Sequence, residues 1–328
     1  MRKLLLLTNS SLTTFRRCPR EYYFRYVLNR KGRRKAAALR FGSLFHVGLN
    51  AWWASFLDKF FDALLAVRAS AEKDETDPFD LVKAEVLLAG YTARWGDEGY
   101  SAVWVEKSFR TQVDMAADVL GSIDAIATKD GHVYNVEHKT TSADISAGSD
   151  YWRHVVALDS QVSTYDAASR AMGYDIAGTL YDVIRKPELE PWKATPEEKR
   201  KYTKPTKKDP VPRLYSNQRE TDETLDEYRD RLAEDIVARP DWYFQRQLIV
   251  RLERDNEEHA RDVAQTAEMI RFAEERDAWP RSTGACKRYG SYCEYAPVCS
   301  GETTIDDDVR YETKTKQHEE LNEESTQG

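Results

Sequence analysis

The sequence contains few cysteines and no long apolar run. There are four cysteines among 328 residues, and a cytosolic chain seldom uses its cysteines in disulfides. No stretch approaches the roughly 20 apolar residues of a membrane span, and the leucines at 4–7 are too few for the core of a signal peptide. A nucleotide-binding P-loop is also absent. We therefore expect an intracellular, cytoplasmic protein with no membrane segment and no ATP-driven motor of its own.

What the chain does have is enough apolar residues for a core and a very uneven charge. Its hydrophobic content of 41% predicts one large domain or a core with elaborations. The net charge is -7, yet residues 1–40 hold twelve Lys and Arg against one acid, Glu21, and residues 301–328 hold nine Asp and Glu against three Lys and Arg. Concentrated basic charge favours a nucleic-acid partner with strongly salt-dependent affinity, and the acidic end is expected to oppose binding. A merely solvated face is the alternative for either run.

The stretch 119–139 predicts a β-hairpin that carries charged side chains. Two alternating runs, 119–127 and 133–138, flank a Lys-Asp-Gly turn. Asp124 lies inside the first run, while Glu137 and Lys139 are two residues apart on the second and therefore point to the same side of the sheet. Two carboxylates and an ammonium gathered in this way suit a divalent cation. A surface hairpin with a scattered ion pair is the alternative.

Other polar residues lie on predicted helices and on a neighbouring strand. His46 stands in an apolar helix, where a histidine is more often a core residue than a metal ligand. Gln161 and Tyr165 lie one turn apart on a predicted helix, as a surface pair also would. Glu106 lies on the predicted strand 103–113, and nothing in the sequence assigns it to the site.

The cysteines form one early position and a C-terminal group. Cys18 is near the start, whereas Cys286, Cys293 and Cys299 follow the spacing C-x6-C-x5-C in a segment bent by glycine and proline. Four thiolates would close a tetrahedral zinc site or hold an iron-sulfur cluster, and the spacing does not decide between them. Unrelated buried thiols are the remaining alternative.

Together these motifs resemble the PD-(D/E)XK nuclease superfamily, and within it the RecB-like exonucleases that include CRISPR-associated exonucleases and the nuclease domain of AddB. The segment around Cys18 is similar to the N-terminal signature of the iron-sulfur branch of these nucleases. The matching motifs are G-x-x-D at Gly121 to Asp124, D/E-x-K at Glu137 to Lys139, G-x-x-x-H at Gly42 to His46, and Q-x-x-x-Y at Gln161 to Tyr165.

The resemblance implies an α/β fold with a restriction-endonuclease-like mixed central sheet flanked by helices, an N-terminal helical elaboration and a C-terminal iron-sulfur segment. It also implies an exonuclease that hydrolyses DNA at ends or in single strands, in recombination, repair or phage DNA metabolism. For a phage-encoded protein the location would be the host cytoplasm.

The resemblance further implies the ligands and their roles. Mg²⁺ or Mn²⁺ would be held by Asp124, Glu137, His46 and the main-chain carbonyl of His138. Lys139 would orient water or stabilise phosphate charge, and Gln161 and Tyr165 would lie beside the metal and touch DNA. A four-iron, four-sulfur cluster would be bound by Cys18, Cys286, Cys293 and Cys299, with zinc as the competitor. The C-x6-C spacing departs from the C-x2-C that many relatives have between their first two C-terminal cysteines.

These expectations divide the chain into six segments. They are a basic segment with the first cysteine (1–40), a helical cap with the His motif (41–98), the nuclease core (99–186), a basic Pro-rich insertion (187–220), C-terminal helices, strand and cysteines (221–302), and a disordered acidic tail (303–328). Two alternatives stay open. One is a non-catalytic, metal-stapled DNA-binding protein, and the other is a nuclease subunit that depends on a helicase or recombination partner.

Overall fold

A computed structural model describes residues 4–33, 37–114, 117–205, 211–288, 291–318 and 321. Ten strands and eleven α-helices lie in these ranges. The strands are β1 (Leu5–Leu7), β2 (Arg30–Gly32), β3 (Ser101–Asp114), β4 (Ala117–Lys129), β5 (His132–Thr141), β6 (Ile176–Arg185), β7 (Phe244–Ile249), β8 (Lys287–Arg288), β9 (Ser291–Tyr292) and β10 (Tyr311–Thr313). The helices are α1 (Asn9–Arg17), α2 (Pro19–Tyr22), α3 (Ala37–Ala54), α4 (Lys59–Lys73), α5 (Pro78–Trp95), α6 (Asp150–Leu158), α7 (Ser160–Ala171), α8 (Leu225–Ala238), α9 (Pro240–Tyr243), α10 (Glu253–Arg276) and α11 (Ala296–Ser300).

Six strands form one mixed sheet, which confirms the predicted fold class. The order is β1-β4-β5-β6-β7, and β3 also pairs with β4. Strands β3, β4 and β5 are antiparallel neighbours, whereas β5 and β6 run parallel because α6 and α7 carry the chain back across the sheet. The predicted hairpin is β4-β5. Its turn residues Asp130 and Gly131 both have positive φ (50° and 79°), as the tight turns that suit the twist of a hairpin require.

Helices cover both faces of this sheet. On one face, α3, α4, α5 and α8 bury residues such as Trp52, Leu88 and Tyr228 against β4, β5 and β6. On the other face, α1, α7 and α10 pack with β1, β3 and β4 through Phe15, Ile270 and their neighbours. The central strands are therefore covered on both sides, and the hairpin lies in the middle of the molecule. No helix in the described ranges is long and apolar enough to cross a membrane.

The two ends of the chain meet beside the cysteine-bearing segment. A π-helical turn, Tyr23–Val27, follows α2. Strand β2 pairs with β10, and the Tyr295 ring stacks on Tyr311 with centroids 5.8 Å apart. Phe24 completes this small aromatic core. The ends are thus joined by packing and by a two-stranded sheet.

The prediction of a disordered tail from residue 303 is wrong for residues 303–318. Tyr311, Lys314 and His318 are buried. The physical reason is charge and aromatic complementarity, because Arg30 pairs with Asp308 (3.1 Å) and the Arg33 guanidinium pairs with Glu312 (3.2 Å). The acidic segment therefore neutralises the basic N-terminal segment. Residues 319, 320 and 322–328 of the predicted tail lie outside the described residues.

One other expectation is also corrected. The basic N-terminal segment is not a free phosphate-binding face, because Arg25 contacts Glu294 and the β2 cations pair with β10. Residues 34–36 of that segment and residues 206–210 of the insertion lie outside the described ranges.

Candidate active site

The hairpin brings Asp124, Glu137 and Lys139 together at the centre of the sheet. The pairing of Ala125 with Val136 sets the carboxylates of Asp124 and Glu137 on neighbouring strands. Both side chains are buried, the backbone N–H of His138 donates to Asp124 Oδ2 (2.7 Å), and the Lys139 ammonium contacts Glu137 Oε1. The three side chains predicted for the site thus lie on one pair of strands, with the Lys139 ammonium against Glu137.

The environment of Glu137 disfavours the charged form of its carboxylate. Burial and the nearby Asp124 charge raise the pKa of Glu137 to about 8, although Lys139 acts in the opposite direction. Its Oε2 atom is buried and accepts no hydrogen bond from any described residue. Burial alone would lower the pKa of Lys139, but Glu137 and Asp124 raise it overall. The ammonium therefore stays charged, and one carboxylate oxygen lacks a cation or donor.

Helix α3 and strand β3 add His46 and Glu106 to this centre. His46 Nε2 lies 2.9 Å from Glu106 Oε1 and 3.6 Å from Asp124 Oδ1. The side chains of His46, Glu106 and Asp124 offer ligand atoms that all lie within 4.8 Å of one another. Asn50 and Ser122 also donate to the Glu106 carboxylate (2.7 and 3.0 Å). Glu106 is the site residue that the sequence reasoning missed.

A signal for Glu106 exists in the strand register. Val105 pairs with Ala125 and Lys107 with Ile123, so Glu106 faces the strand position of Asp124. Glu106 itself has a positive φ of 53°, and the β3-β4 register shifts between Ala102 and Trp104. An acid on a strand expected to pair with the Asp124 strand was therefore a candidate, but its facing depended on an irregular ladder that sequence patterns do not reveal.

Helix α7 places Gln161 and Tyr165 beside Lys139. The Lys139 ammonium donates to Gln161 Oε1 (2.8 Å), and Gln161 Nε2 donates to the Tyr165 hydroxyl (2.7 Å). Asp159 caps the helix by accepting from the Gln161 N–H (2.9 Å), which places the glutamine in the first turn. Gln161 and Tyr165 line one cavity of about 410 Å³ together with residues of four other elements, including Asn9, Ser10, His46, Glu106 and Asp124.

The chemistry of these donors fits a hard divalent cation. Carboxylate oxygens are the ligands that Mg²⁺ and Mn²⁺ prefer, and Mn²⁺ also accepts an imidazole. The orphaned Oε2 of Glu137 and its raised pKa show a carboxylate that a cation would relieve. The Gln161 amide lines the same cavity as Asp124 and accepts a hydrogen bond from the Lys139 ammonium.

The family of the chain follows from a profile comparison. The profile of the PD-(D/E)XK nuclease superfamily matches residues 7–300. The chain belongs to the PD-(D/E)XK nuclease superfamily. The matched range includes every motif residue of the site and all four cysteines. No curated protein matches the sequence.

Fourteen chains of solved structures match this nuclease. One is a protein named SSO0001, with 13% identity over 73% of this chain and 78% of that chain, at a TM-score of 0.25. Another is a provisionally named exonuclease from Eubacterium rectale, with 12% identity over 77% of this chain and 87% of that chain, at a TM-score of 0.36. The assignment of the nuclease rests on the family match.

The side chain of His138 lies on the face of the nuclease sheet opposite to Glu137 and Lys139. Its Nδ1 atom is 3.0 Å from Asp182 Oδ2, and both groups are buried. Asp182 is also paired with Arg246 (3.1 Å). Burial alone would raise the pKa of Asp182, but Arg246 and His138 lower it to about 2. The imidazole of His138 therefore belongs to a buried network behind the site, so only its main chain can serve the metal.

The four cysteines, distant in sequence, line one small cavity of about 20 Å³. Each is partly buried. The backbone N–H of Cys293 donates to the carbonyl of Cys286 (2.7 Å), and Cys18 stands at the N-terminus of α2. Burial raises the pKa of Cys293 to about 11 and raises that of Cys299 as well. The four cysteines thus lie around one small cavity at the junction of the two chain ends.

Proposed function

We propose that this PD-(D/E)XK nuclease is a RecB-like deoxyribonuclease that hydrolyses DNA at ends or in single strands with the help of Mg²⁺ or Mn²⁺. The observation that carries the proposal is the hydrogen-bond chain that runs from the Lys139 ammonium, which contacts Glu137, through Gln161 to Tyr165, because Gln161 and Tyr165 line the same cavity as Asp124. A decayed nuclease would not be expected to keep a partly buried ammonium beside a buried carboxylate with an oxygen that accepts no hydrogen bond from any described residue, because each costs folding free energy.

In this proposal Asp124, Glu137, His46 and the main-chain carbonyl of His138 hold the cation, and Glu106 is a further ligand. When bound, the cation supplies positive charge that polarises the scissile phosphate and acidifies a water molecule. Lys139 keeps its proton, because its pKa is raised, and can therefore donate to the attacking water or to the phosphate oxygens. Gln161 orients that ammonium, and Tyr165 orients Gln161.

The test is cleavage of end-labelled single-stranded and double-stranded DNA with Mg²⁺ or Mn²⁺. Asp124→Ala, Glu137→Ala and Lys139→Ala are each expected to lower the rate by about a hundredfold or more, since each removes charge stabilisation in a water-poor site. Lys129→Ala, at the far end of the same hairpin, is the matched control and should cleave normally. Near wild-type cleavage by Lys139→Ala would refute the assignment. A wild-type protein that binds DNA but never cleaves it would favour the non-catalytic alternative.

We also propose that the cysteine-lined cavity holds a four-iron, four-sulfur cluster that joins the chain ends. A zinc ion with Zn–S bonds of about 2.3 Å needs its four sulfurs about 3.8 Å apart. Among the described residues only His46, Glu106 and Asp124 bring three ligand atoms within 4.8 Å of one another, so the cysteine sulfurs are spread more widely than zinc requires. The similarity of the segment around Cys18 to the iron-sulfur branch of these nucleases supports the cluster.

Protein purified without oxygen should then be brown and contain about four iron and four sulfide per chain. Cys299→Ser should lose the colour and lower the melting temperature, because a centre that joins distant segments restricts the unfolded chain. A colourless protein with one zinc that still folds and cleaves DNA would refute the cluster and leave the nuclease in place.

A further inference from the structure

The described part of the basic insertion forms an arm, which we define as residues 191–205 and 211–222. It leaves the sheet beside the catalytic strand, because the N–H of Lys186 donates to the carbonyl of Thr141 at the end of β5 (2.8 Å). At its base Trp192 and Glu223 exchange hydrogen bonds (both 2.8 Å). Arg231 of α8 stacks over the Trp192 ring at 4.1 Å. The arm is therefore fastened to the nuclease core at Trp192, and the segment that leads to it is hydrogen-bonded to Thr141, two residues after Lys139.

Two legs of the arm run antiparallel. The N–H of Thr203 donates to the carbonyl of Arg213 (2.8 Å), and the N–H of Tyr215 donates to the carbonyl of Lys201 (3.0 Å). Nearer the base, the N–H of Thr195 donates to the carbonyl of Arg219 (2.8 Å). These bonds hold the legs in register without a regular sheet, as the many prolines require.

The arm is strongly basic in an acidic chain. Residues 193–219 contain nine Lys and Arg and three Asp and Glu, a charge of +6, so the remainder of the -7 chain carries -13. Lys199, Lys201 and Lys204 are exposed, and within the described ranges none of their ammonium groups has a carboxylate partner. The basic residues of β2, by contrast, are paired with the acidic segment around β10. Cations left without partners on a fixed arm suit a polyanion.

Exposed aromatic rings lie among these lysines. Tyr202 on one leg is 47% exposed and Tyr215 on the other is 45% exposed. Neither ring has a stacking partner within the described part of the chain. Phenol rings on such a surface are platforms for unpaired bases, and stacking is tolerant of sequence. An acidic protein partner would use the lysines but would have no special use for flat rings.

We propose that the arm binds single-stranded DNA next to the active site, with Lys199, Lys201 and Lys204 on phosphates and Tyr202 and Tyr215 stacked on bases. The inference rests on the proposed function, since the ligand is the substrate strand. It names the substrate class as single-stranded DNA and gives the arm the task of holding the strand that enters the site.

The first test measures binding of fluorescein-labelled oligo-dT of 30 nucleotides by anisotropy in EDTA, so that no cleavage occurs. The triple variant K199A/K201A/K204A should bind more weakly, and the slope of log affinity against log salt should fall by about 2, since each phosphate contact on a single strand contributes about 0.7. The arginine triple K199R/K201R/K204R should keep the slope. The matched control K73A/R254A/R261A, which removes the same charge from α4 and α10, should also keep it.

The second test separates stacking from charge. The double variant Y202A/Y215A should lower the affinity for oligo-dT at least tenfold at constant salt slope, because each stacked base is worth about 1–3 kcal/mol. Affinity for a blunt duplex of equal length should change less than threefold. An equal loss on both DNAs would refute the single-strand preference, and tight binding of duplex through the lysines alone would identify a backbone clamp in its place.

The outcomes also distinguish failure of the arm proposal from failure of the nuclease proposal. At saturating oligo-dT with Mn²⁺ the lysine triple should keep the wild-type kcat and raise KM, because the arm binds ground state and transition state alike. If the wild type cleaves nothing but the lysine triple still loses affinity, the nuclease proposal fails and the arm stands. If the lysine triple and the charge-matched control lose equal affinity, the arm proposal is wrong whatever the activity.

Discussion

At the scale of single residues, the centre of the site is a histidine held between two carboxylates. Burial alone would lower the pKa of His46, but the hydrogen bond that His46 donates to Glu106 and the charge of Asp124 raise it to about 8. At neutral pH His46 is therefore protonated when no cation is bound. A cation that uses its nitrogen must displace this proton, so cation affinity should rise with pH up to about 8 and then level off.

We expect Glu106→Gln to weaken Mn²⁺ binding about 10-fold to 100-fold, the usual cost of losing a ligand or the partner that orients one. The variant also loses a charge that raises the pKa of His46, so the rise of affinity with pH should end at a lower pH. Calorimetric Mn²⁺ titrations between pH 6 and 9 measure both effects. Asp144→Asn, an exposed acid outside the cavity, is the control, and identical curves for Glu106→Gln and wild type would remove Glu106 from the metal site.

Sequence reasoning reached some of these residues and not others for a physical reason. Glu137 and Lys139 follow from the period of two in a strand, and Gln161 with Tyr165 follows from one helical turn, because both rules are local. Glu106 depends on which residue of a second strand it faces. That register is a tertiary property, and the irregularities in β3 break the alternation from which it could be counted.

At the scale of elements, Gly121 explains why β4 needs a glycine three residues before Asp124. A Cβ at Gly121 would lie 2.4 Å from Cζ of Phe109, so the bare backbone is what admits the ring. Phe109 in turn packs edge-on against Tyr165, with centroids 5.7 Å apart. The glycine therefore fixes the position of the tyrosine that ends the hydrogen-bond chain from Lys139.

We expect Gly121→Ala to destabilise the fold by about 1–3 kcal/mol, as overpacking does, and to lower kcat by displacing Tyr165. Urea unfolding and single-turnover cleavage measure the two effects. Gly131→Ala is the matched control, because its φ of 79° also costs stability but its turn is remote from the cavity, so kcat should be unchanged. Smaller losses for G121A combined with Phe109→Leu would support the steric cause, and an unchanged kcat for Gly121→Ala would contradict it.

The pair of β5 and β6 contains the buried network behind the site. Asp182 has a pKa of about 2 in the folded state, below its ordinary value near 4. A lowered folded pKa adds stability above the unfolded value, and this stability is lost as pH falls through the folded value. The shift of about two units corresponds to about 2–3 kcal/mol.

We expect Asp182→Asn to destabilise the protein at pH 7 by at least that amount, because Arg246 then loses its buried partner. The gap between wild type and variant should be the same at pH 7 and pH 5 and should narrow below pH 4, where the wild-type aspartate begins to take up its proton. Urea midpoints at several pH values measure this, with the exposed Asp226→Asn as the control. A gap that stays constant down to pH 2.5 would show that the charge of Asp182 contributes nothing.

Local sequence patterns predict some secondary-structure elements of this fold and not others. The hairpin and helix α7 were predicted because their apolar periods and turn residues are local signals. The structure of the described part of the arm was not predicted, because its legs are joined by backbone hydrogen bonds between residues about ten to thirty positions apart, in a segment whose proline and charge content is typical of a disordered loop.

At the scale of the whole molecule, the chain ends behave as one unit. Asn29 and Lys314 exchange hydrogen bonds (both 2.8 Å), and Gln317 Nε2 donates to the carbonyl of Tyr26 (2.9 Å). These partners are almost 300 residues apart in sequence. The composition therefore predicted a basic N-terminal segment and an acidic C-terminal segment, but not that the two segments pair. A deletion of residues 303–328 would therefore remove structure as well as charge.

The contacts of the C-terminal segment extend to the cavity of the candidate active site. His318 Nε2 lies 2.9 Å from the carbonyl oxygen of Leu6, and Leu321 is buried in the lining of the cavity that also contains Asp124, Gln161 and Tyr165. In sequence this leucine is surrounded by four glutamates, at positions 319, 320, 323 and 324. An apolar side chain in the substrate cavity, with anionic neighbours in the sequence, competes with an anionic substrate for the same space.

We therefore expect a chain ending at residue 318 to bind oligo-dT several-fold more tightly than the full chain and to cleave it with a lower KM, while its melting temperature stays the same. The charge-only variant, with all four glutamates changed to glutamine, should show part of this increase in affinity for oligo-dT. Leu321→Ala should show the remaining part of the increase. A chain ending at residue 302 should instead melt earlier, because it loses β10, the Tyr311 stack and the ion pairs to Arg30 and Arg33. Equal KM and equal affinity for the full chain and the chain ending at 318 would show that the tail does not compete with DNA.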